Sequence, residues 1–149
     1  MGMPELLRNK KAFFDYEILE KFEAGLELLG SEVKALKNGR GAIVGGRVIL
    51  RGNEAYLIGA DIAPFQSANA PAGYDPLRTR RILLTRAEIK RLTGSEHERG
   101  LTIIPLSVYT KGPLLKLSLA VARGKKQHDK RQSIKKREDD KRIRRTLKS

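Results

Sequence analysis

Apolar and polar residues alternate in two parts of the chain. Between residues 11 and 18, Ala12, Phe14, Tyr16 and Ile18 fall on one face and charged residues fall on the other. A period of two over eight residues predicts a half-buried strand that begins at Lys11. The same period near the end of the chain predicts two further strands, joined by a turn at residues 111–113. Their apolar positions are Ile104, Leu106 and Val108, and then Leu115, Leu117, Leu119 and Val121.

A different spacing predicts a short helix over Gly30–Lys37. Ser31 is expected to cap it, because a serine hydroxyl accepts a bond from an otherwise unpaired N–H of the first turn. Glu32 lies in the first turn, where the helix dipole favours an anion, and Gly39 offers a left-handed stop.

Further elements follow from local signals. Residues 48–57 alternate on both sides of Gly52-Asn53, which predicts a hairpin. Thr85 and Glu88 form a capping-box pattern, so a second helix is expected there, ending at Gly94. Residues 64–77 are rich in proline and have no period, which indicates a long loop.

About six short strands with two or three short helices make the chain mainly β. We expect a small OB-type antiparallel barrel over residues 9–123, with a mobile leader at residues 1–8 and a basic tail at 124–149. The length of 149 residues suits one domain.

Charge indicates the class of partner. The net charge is +14, and residues 123–149 alone hold 13 basic and 4 acidic residues. Polyanions are therefore the expected partners, and the tail, with few apolar residues, is expected to order only against one. The chain has no cysteine, no long apolar run and no signal-like start, so we expect a cytoplasmic protein with no membrane span, cofactor or metal site.

Three blocks carry a family resemblance. The first contains Asn9-Lys10-Lys11-Ala12, Asp15-Tyr16, Glu23-Ala24-Gly25 and the 30–37 helix. The second contains Asp75-Pro76, residues 78–84 and Glu88-Ile89. The third runs from Gly124 to Arg131. In this order and at these spacings, the chain resembles the SsrA-binding proteins, the SmpB family, from Asn9 onward.

The resemblance implies a function. The family binds the tRNA-like domain of transfer-messenger RNA and delivers it to stalled ribosomes for trans-translation, without being an enzyme. It implies a monomer whose tail becomes helical in the message channel near the small-subunit decoding centre. The RNA-binding positions carried over are Asn9, Tyr16, Glu23, Lys34, Lys37, Arg78, Arg80, Leu83 and Lys116. The tail positions carried over are Gly124, Lys125, Lys126, His128, Asp129, Lys130 and Arg131.

The residues alone leave simpler interpretations open. Lys116 is also explained as a solvated side chain, Glu23 as a structural carboxylate, and Leu83 and Tyr16 as packing residues. A magnesium-dependent nuclease using Glu17, Glu20, Glu23 and Glu27 is a competing class, although no phosphate-binding glycine loop accompanies them. A generic OB-fold ribosomal protein or initiation factor is another.

Overall fold

A computed structural model describes residues 4–64 and 71–125. Within these residues the chain forms seven strands and three helices, and the predicted mainly β fold is confirmed. In chain order the elements are β1 (Glu5–Arg8), α1 (Lys10–Asp15), β2 (Tyr16–Leu26), α2 (Gly30–Lys37), β3 (Arg47–Arg51), β4 (Glu54–Ile58), β5 (Arg80–Leu83), α3 (Arg86–Glu96), β6 (Leu101–Lys111) and β7 (Leu114–Gly124).

The strands form one antiparallel sheet in the order β1-β6-β7-β2-β5-β4-β3. The sheet curls on itself, so that the end strand β3 lies against β6. The inner face and helices α2 and α3 enclose the main core, which includes Leu36, Leu57, Leu92, Ile103 and Leu117. Burial of this apolar surface is the main source of stability.

The N-terminal part differs from expectation in two ways. The predicted strand at residues 11–15 is wrong, because residues 10–15 form α1 and the strand begins at Tyr16. Asn9 accounts for this: its Oδ1 accepts the Ala12 N–H at 3.2 Å and caps the helix. The expected mobile leader is wrong for Glu5–Arg8, which pairs with β6 and buries Leu7 in the core.

Helix α2 begins and ends close to the predicted residues, but Ser31 is not its cap. Leu29 is the cap residue, and its N–H donates to Glu32 Oε1 at 2.8 Å. Ser31 Oγ is buried without a partner among the described residues. Gly39 follows the helix with a φ of 71°, as the left-handed stop requires.

The hairpin and the second predicted helix are both present. Strands β3 and β4 pair on either side of Gly52-Asn53, where both residues have positive φ, as tight hairpin turns require. Thr85 and Glu88 cap α3 reciprocally. The predicted end at Gly94 is wrong, because the helix continues to Glu96. In this last turn, the Glu96 carboxylate accepts the Leu50 N–H of β3.

A bulge in β6 changes which face its side chains occupy. The register with β7 shifts between Pro105 and Ser107, so Ile104 and Leu106 pack on the outer face while Val108 packs in the main core. The predicted common face for these three residues is therefore wrong. Helix α1 covers this outer apolar patch with Ala12 and leaves the neighbouring part of the outer face open.

Candidate nucleic-acid interface

Three of the predicted RNA-binding residues meet on the open part of the outer face. One row of Cα partners crosses four strands: Leu83 on β5, Gly25 on β2, Lys116 on β7 and Tyr109 on β6. Glu23 lies in the next row, opposite Ser118. We call the set Glu23, Leu83, Tyr109, Lys111 and Lys116 the sheet-face cluster.

Two neighbours hold the Glu23 carboxylate. Tyr109 Oη donates to Oε2, and Lys111 Nζ donates to Oε1 at 3.1 Å. The hydrogen bond from Tyr109, and to a smaller extent the one from Lys111, lowers the pKa of Glu23 below its usual value. Burial, and to a smaller extent the hydrogen bond to Glu23, raises the pKa of Tyr109. At neutral pH the pair is therefore an ionised acceptor and a protonated donor.

Leu83 is exposed although it lies in the apolar run Ile82-Leu83-Leu84. Its neighbour Ile82 enters the core, while 46% of Leu83 remains accessible. The facing residue is Gly25, where an added Cβ would lie 3.3 Å from Leu83 Cβ. The simpler interpretation of Leu83 as a core residue is wrong, because the alternation of β5 sends Ile82 inward and Leu83 outward.

The cluster combines three kinds of recognition chemistry. The ionised Glu23 has lone pairs left to accept bonds from base N–H groups or ribose hydroxyls. The Lys111 and Lys116 ammonium groups suit phosphate oxygens, and they offset the repulsion between phosphate and Glu23. Leu83 offers an apolar surface beside them. Tyr109 was missed in the sequence, although its alternation with Lys111 places both on one face.

Arg78 and Arg80 lie elsewhere, around a buried carboxylate. Glu32 is fully buried, and it accepts bonds from Arg78 Nε at 3.0 Å, Arg80 Nε at 2.8 Å and Tyr74 Oη at 2.9 Å. Arg80 also donates to the Ala60 and Pro76 carbonyls. We call Glu32, Tyr74, Arg78 and Arg80 the buried network.

The buried network has an internal charge balance. Burial by itself would raise the pKa of Glu32, but the bonds from Arg78, the Leu29 N–H, Arg80 and Tyr74 outweigh it and lower the pKa to about 2. The Arg80 side chain is 0% exposed and is taken up by this network, so its place among the RNA-binding positions stays a prediction. Arg78 is partly exposed but bound to Glu32 on its inner side. Proximity in sequence gave no sign of the two arginine contacts, because Arg78 and Arg80 lie 46 and 48 positions from Glu32.

Asn9 and Tyr16 lie near α1, away from the cluster. Asn9 is 4% exposed and donates from Nδ2 to the Pro105 carbonyl at 2.9 Å. Both ends of its amide serve α1 and β6, and its place among the RNA-binding positions stays a prediction. Tyr16 is half-buried and packs against the outer apolar patch under α1, as the simpler interpretation expected.

The remaining predicted residues are divided between two regions. Lys34 and Lys37 are exposed in the last turn of α2. Gly124 pairs with Tyr16 at the end of β7, so the first residue predicted for the tail belongs to the sheet. The Lys125 N–H donates to the Asp15 carbonyl at 2.8 Å. Lys126, His128, Asp129, Lys130 and Arg131 lie outside the described residues.

The carboxylates of the competing nuclease interpretation are dispersed. Glu20 pairs with Arg91 at 2.8 Å, Glu27 lies 3.7 Å from Arg81, and Glu23 serves Tyr109. Among residues 4–64 and 71–125, no group of three acidic, histidine or cysteine side chains is arranged to hold a metal ion. In the same part of the chain, no helix is long and apolar enough to span a membrane.

Comparison with known proteins decides the family. A family model described as SmpB protein matches residues 6–149. The SsrA-binding protein of Gloeobacter violaceus is 50% identical over 142 residues, covering 95% of this chain and 93% of its own. That of Paraburkholderia xenovorans is 47% identical over 133 residues, covering 89% and 90%. The chain belongs to the SmpB family.

A solved SmpB-family structure shares the fold. A chain from the structure "tmRNA-SmpB: a journey to the center of the bacterial ribosome" superposes with a TM-score of 0.66 at 40% identity, covering 81% of this chain and 85% of that one. The resemblance predicted from the three sequence blocks is thereby confirmed. The SmpB relatives are named for what they bind rather than for a reaction, in agreement with the expectation that the chain is not an enzyme.

Proposed function

We propose that this chain binds the tRNA-like domain of transfer-messenger RNA and delivers it to stalled ribosomes for trans-translation. It acts as a monomer in the cytoplasm, and its other partner is the decoding region of the small ribosomal subunit. Membership of the SmpB family supports this function.

One observation of the structure carries the proposal. Glu23, Leu83 and Lys116 come from three different strands, yet they lie in adjacent rows of one open sheet face. A surface that needed only positive charge would have no use for an ionised carboxylate. Tyr109 and Lys111 instead fix the Glu23 carboxylate in one position, where it can accept hydrogen bonds from specific donors of the RNA.

RNA choice tests the binding half of the proposal. The protein should prefer a fragment with the acceptor arm and elbow of transfer-messenger RNA over unstructured RNA of equal length, measured by gel shift at physiological salt. A generic polyelectrolyte binder would follow phosphate count and lose affinity steeply with salt. Equal binding to the two RNAs would overturn the proposal in favour of a generic RNA binder.

Truncation tests the division between barrel and tail. A cut after Lys125 keeps all of β7 and the Lys125–Asp15 bond. The shortened protein should therefore bind the RNA fragment as before but fail to support peptide tagging on a ribosome with a stop-less message. Lys130→Ala with Arg131→Ala in the full chain should give the same split. Normal tagging by the double variant would contradict a specific role of these tail residues.

A further inference from the structure

A groove opens beside the sheet-face cluster, on the other side of β5. It has a volume of about 890 Å³ and lies between the β3–β4 turn, β5 and α3. Leu83 belongs both to the cluster and to the wall of this groove. The proposed RNA-binding face therefore continues past Leu83, at the end of β5, into a concave site.

The groove has an apolar floor. Leu84 and Ile89 line it and are half-buried against the main core, while Leu83 is largely exposed at its entrance. A concave surface of this kind suits a flat, uncharged group such as a nucleobase more than it suits a phosphate.

Its rim is cationic. Arg86 and Lys90 are exposed one turn apart on α3 and line the groove together. Neither takes part in an ion pair within residues 4–64 and 71–125, whereas the nearby Arg81 pairs with Glu54 at 2.9 Å and Arg91 pairs with Glu20. Arg86 and Lys90 are thus available to an external anion.

We propose that this groove binds an unpaired nucleotide of the RNA whose folded part lies on the sheet-face cluster. The base enters between Leu83, Leu84 and Ile89, and its flanking phosphates contact Arg86 and Lys90. The assignment rests on the proposed function. Continuity through Leu83 and the positive rim favour RNA over an acidic peptide, because the same molecule already covers the adjoining face.

Paired charge removals test the groove. The test variant is Arg86→Ala with Lys90→Ala, and the control is Lys10→Ala with Arg99→Ala, which removes two exposed cations that do not line the groove. Both lower the net charge by the same amount. Each is titrated with the tRNA-like fragment and with a blunt RNA duplex of equal length, and thermal melting confirms that each is folded.

The proposal predicts a loss that depends on RNA structure. The groove variant should bind the tRNA-like fragment about tenfold more weakly, with a salt slope reduced by about two, one for each lost phosphate contact. The control should change binding by less than about twofold, and the blunt duplex should not distinguish the two variants. Equal losses on both RNAs, or no loss for the groove variant, would overturn the groove assignment while leaving the proposed function intact. Failure of the unmodified protein to prefer the fragment would overturn both.

Discussion

The chain uses the same three chemical groups, a carboxylate, a tyrosine and basic side chains, in two different settings. In the buried network, Glu32 and Arg80 are fully enclosed, and every strong donor around Glu32 comes from the protein. In the sheet-face cluster, Glu23 keeps an open side toward solvent beside Tyr109 and Lys111. Burial therefore separates two roles that composition does not distinguish: the enclosed set holds the loop after β4 to α2, and the open set offers acceptors and donors to a partner.

The largest expected effect comes from a substitution in the buried network. Glu32→Gln removes the negative charge that compensates Arg80, whose guanidinium then stays buried without an ionic partner. We expect the free energy of unfolding to fall by about 3–5 kcal/mol in urea titrations. Glu23→Gln, at an exposed site, should leave the free energy of unfolding nearly unchanged. Similar losses in the two variants would contradict the proposed difference between the settings.

Acid should reveal the same network. The pKa of Glu32 is lowered to about 2 in the folded protein, against an ordinary value of 4.5. A lowered folded pKa means that stability is present above the ordinary pKa and is lost as pH falls through the folded one. The difference in unfolding free energy between the unmodified protein and Glu32→Gln should thus shrink by about 3 kcal/mol between pH 5 and pH 2. A constant difference across this range would show that Glu32 is not held ionised.

For the sheet-face cluster, the direction of the change in RNA affinity tests the proposed role of Glu23. Glu23→Gln and Glu20→Gln both raise the net charge by one, and both residues belong to β2. A purely electrostatic binder would bind RNA slightly more tightly with either change. We expect Glu23→Gln instead to weaken binding to the tRNA-like fragment about tenfold, as loss of a charged hydrogen-bond acceptor predicts. Glu20→Gln should bind as tightly as the unmodified protein or more so. Tighter binding by Glu23→Gln would count against a specific contact.

The smallest expected effect concerns Tyr109, which positions Glu23. Tyr109→Phe removes one donor to the carboxylate and leaves Lys111 in place, so affinity for the fragment should fall about threefold. The pKa of Glu23 should move upward, toward its ordinary value, in an NMR titration. Adding Tyr109→Phe to Glu23→Gln should cost little more, because the two residues act through one bond. A full additive loss would mean that Tyr109 contacts RNA on its own.

Local patterns predicted the elements whose signals lie within a few residues. The Gly52-Asn53 turn, the Thr85–Glu88 cap and the alternation of β7 are of this kind. Helix α1 was missed although its Asn9 cap is local, because the alternation of apolar residues from Ala12 to Ile18 favoured a strand. Strand β1 was missed because it depends on its distant partner β6. The bulge in β6 is likewise a property of its pairing with β7.

The candidate site divides in the same way. The family resemblance pointed to Glu23, Leu83 and Lys116, and the sheet brings them together. It also pointed to Arg80 and Asn9, whose burial the sequence does not reveal, since polar residues are ordinarily exposed. Tyr109 was missed because its role depends on Glu23, which lies two strands away in the sheet.

The most direct measurement asks where RNA lies on the protein. The chain has no cysteine, so Ser118→Cys, beside Glu23, and Ser95→Cys, near the end of α3, each introduce a single thiol. Each variant is alkylated with a maleimide, with and without saturating tRNA-like fragment, after equal affinity and stability have been checked. We predict that the fragment slows labelling of the Ser118→Cys thiol at least tenfold and leaves the Ser95→Cys thiol nearly unchanged. Unchanged labelling of the Ser118→Cys thiol in the RNA complex would contradict the sheet-face cluster as the binding site.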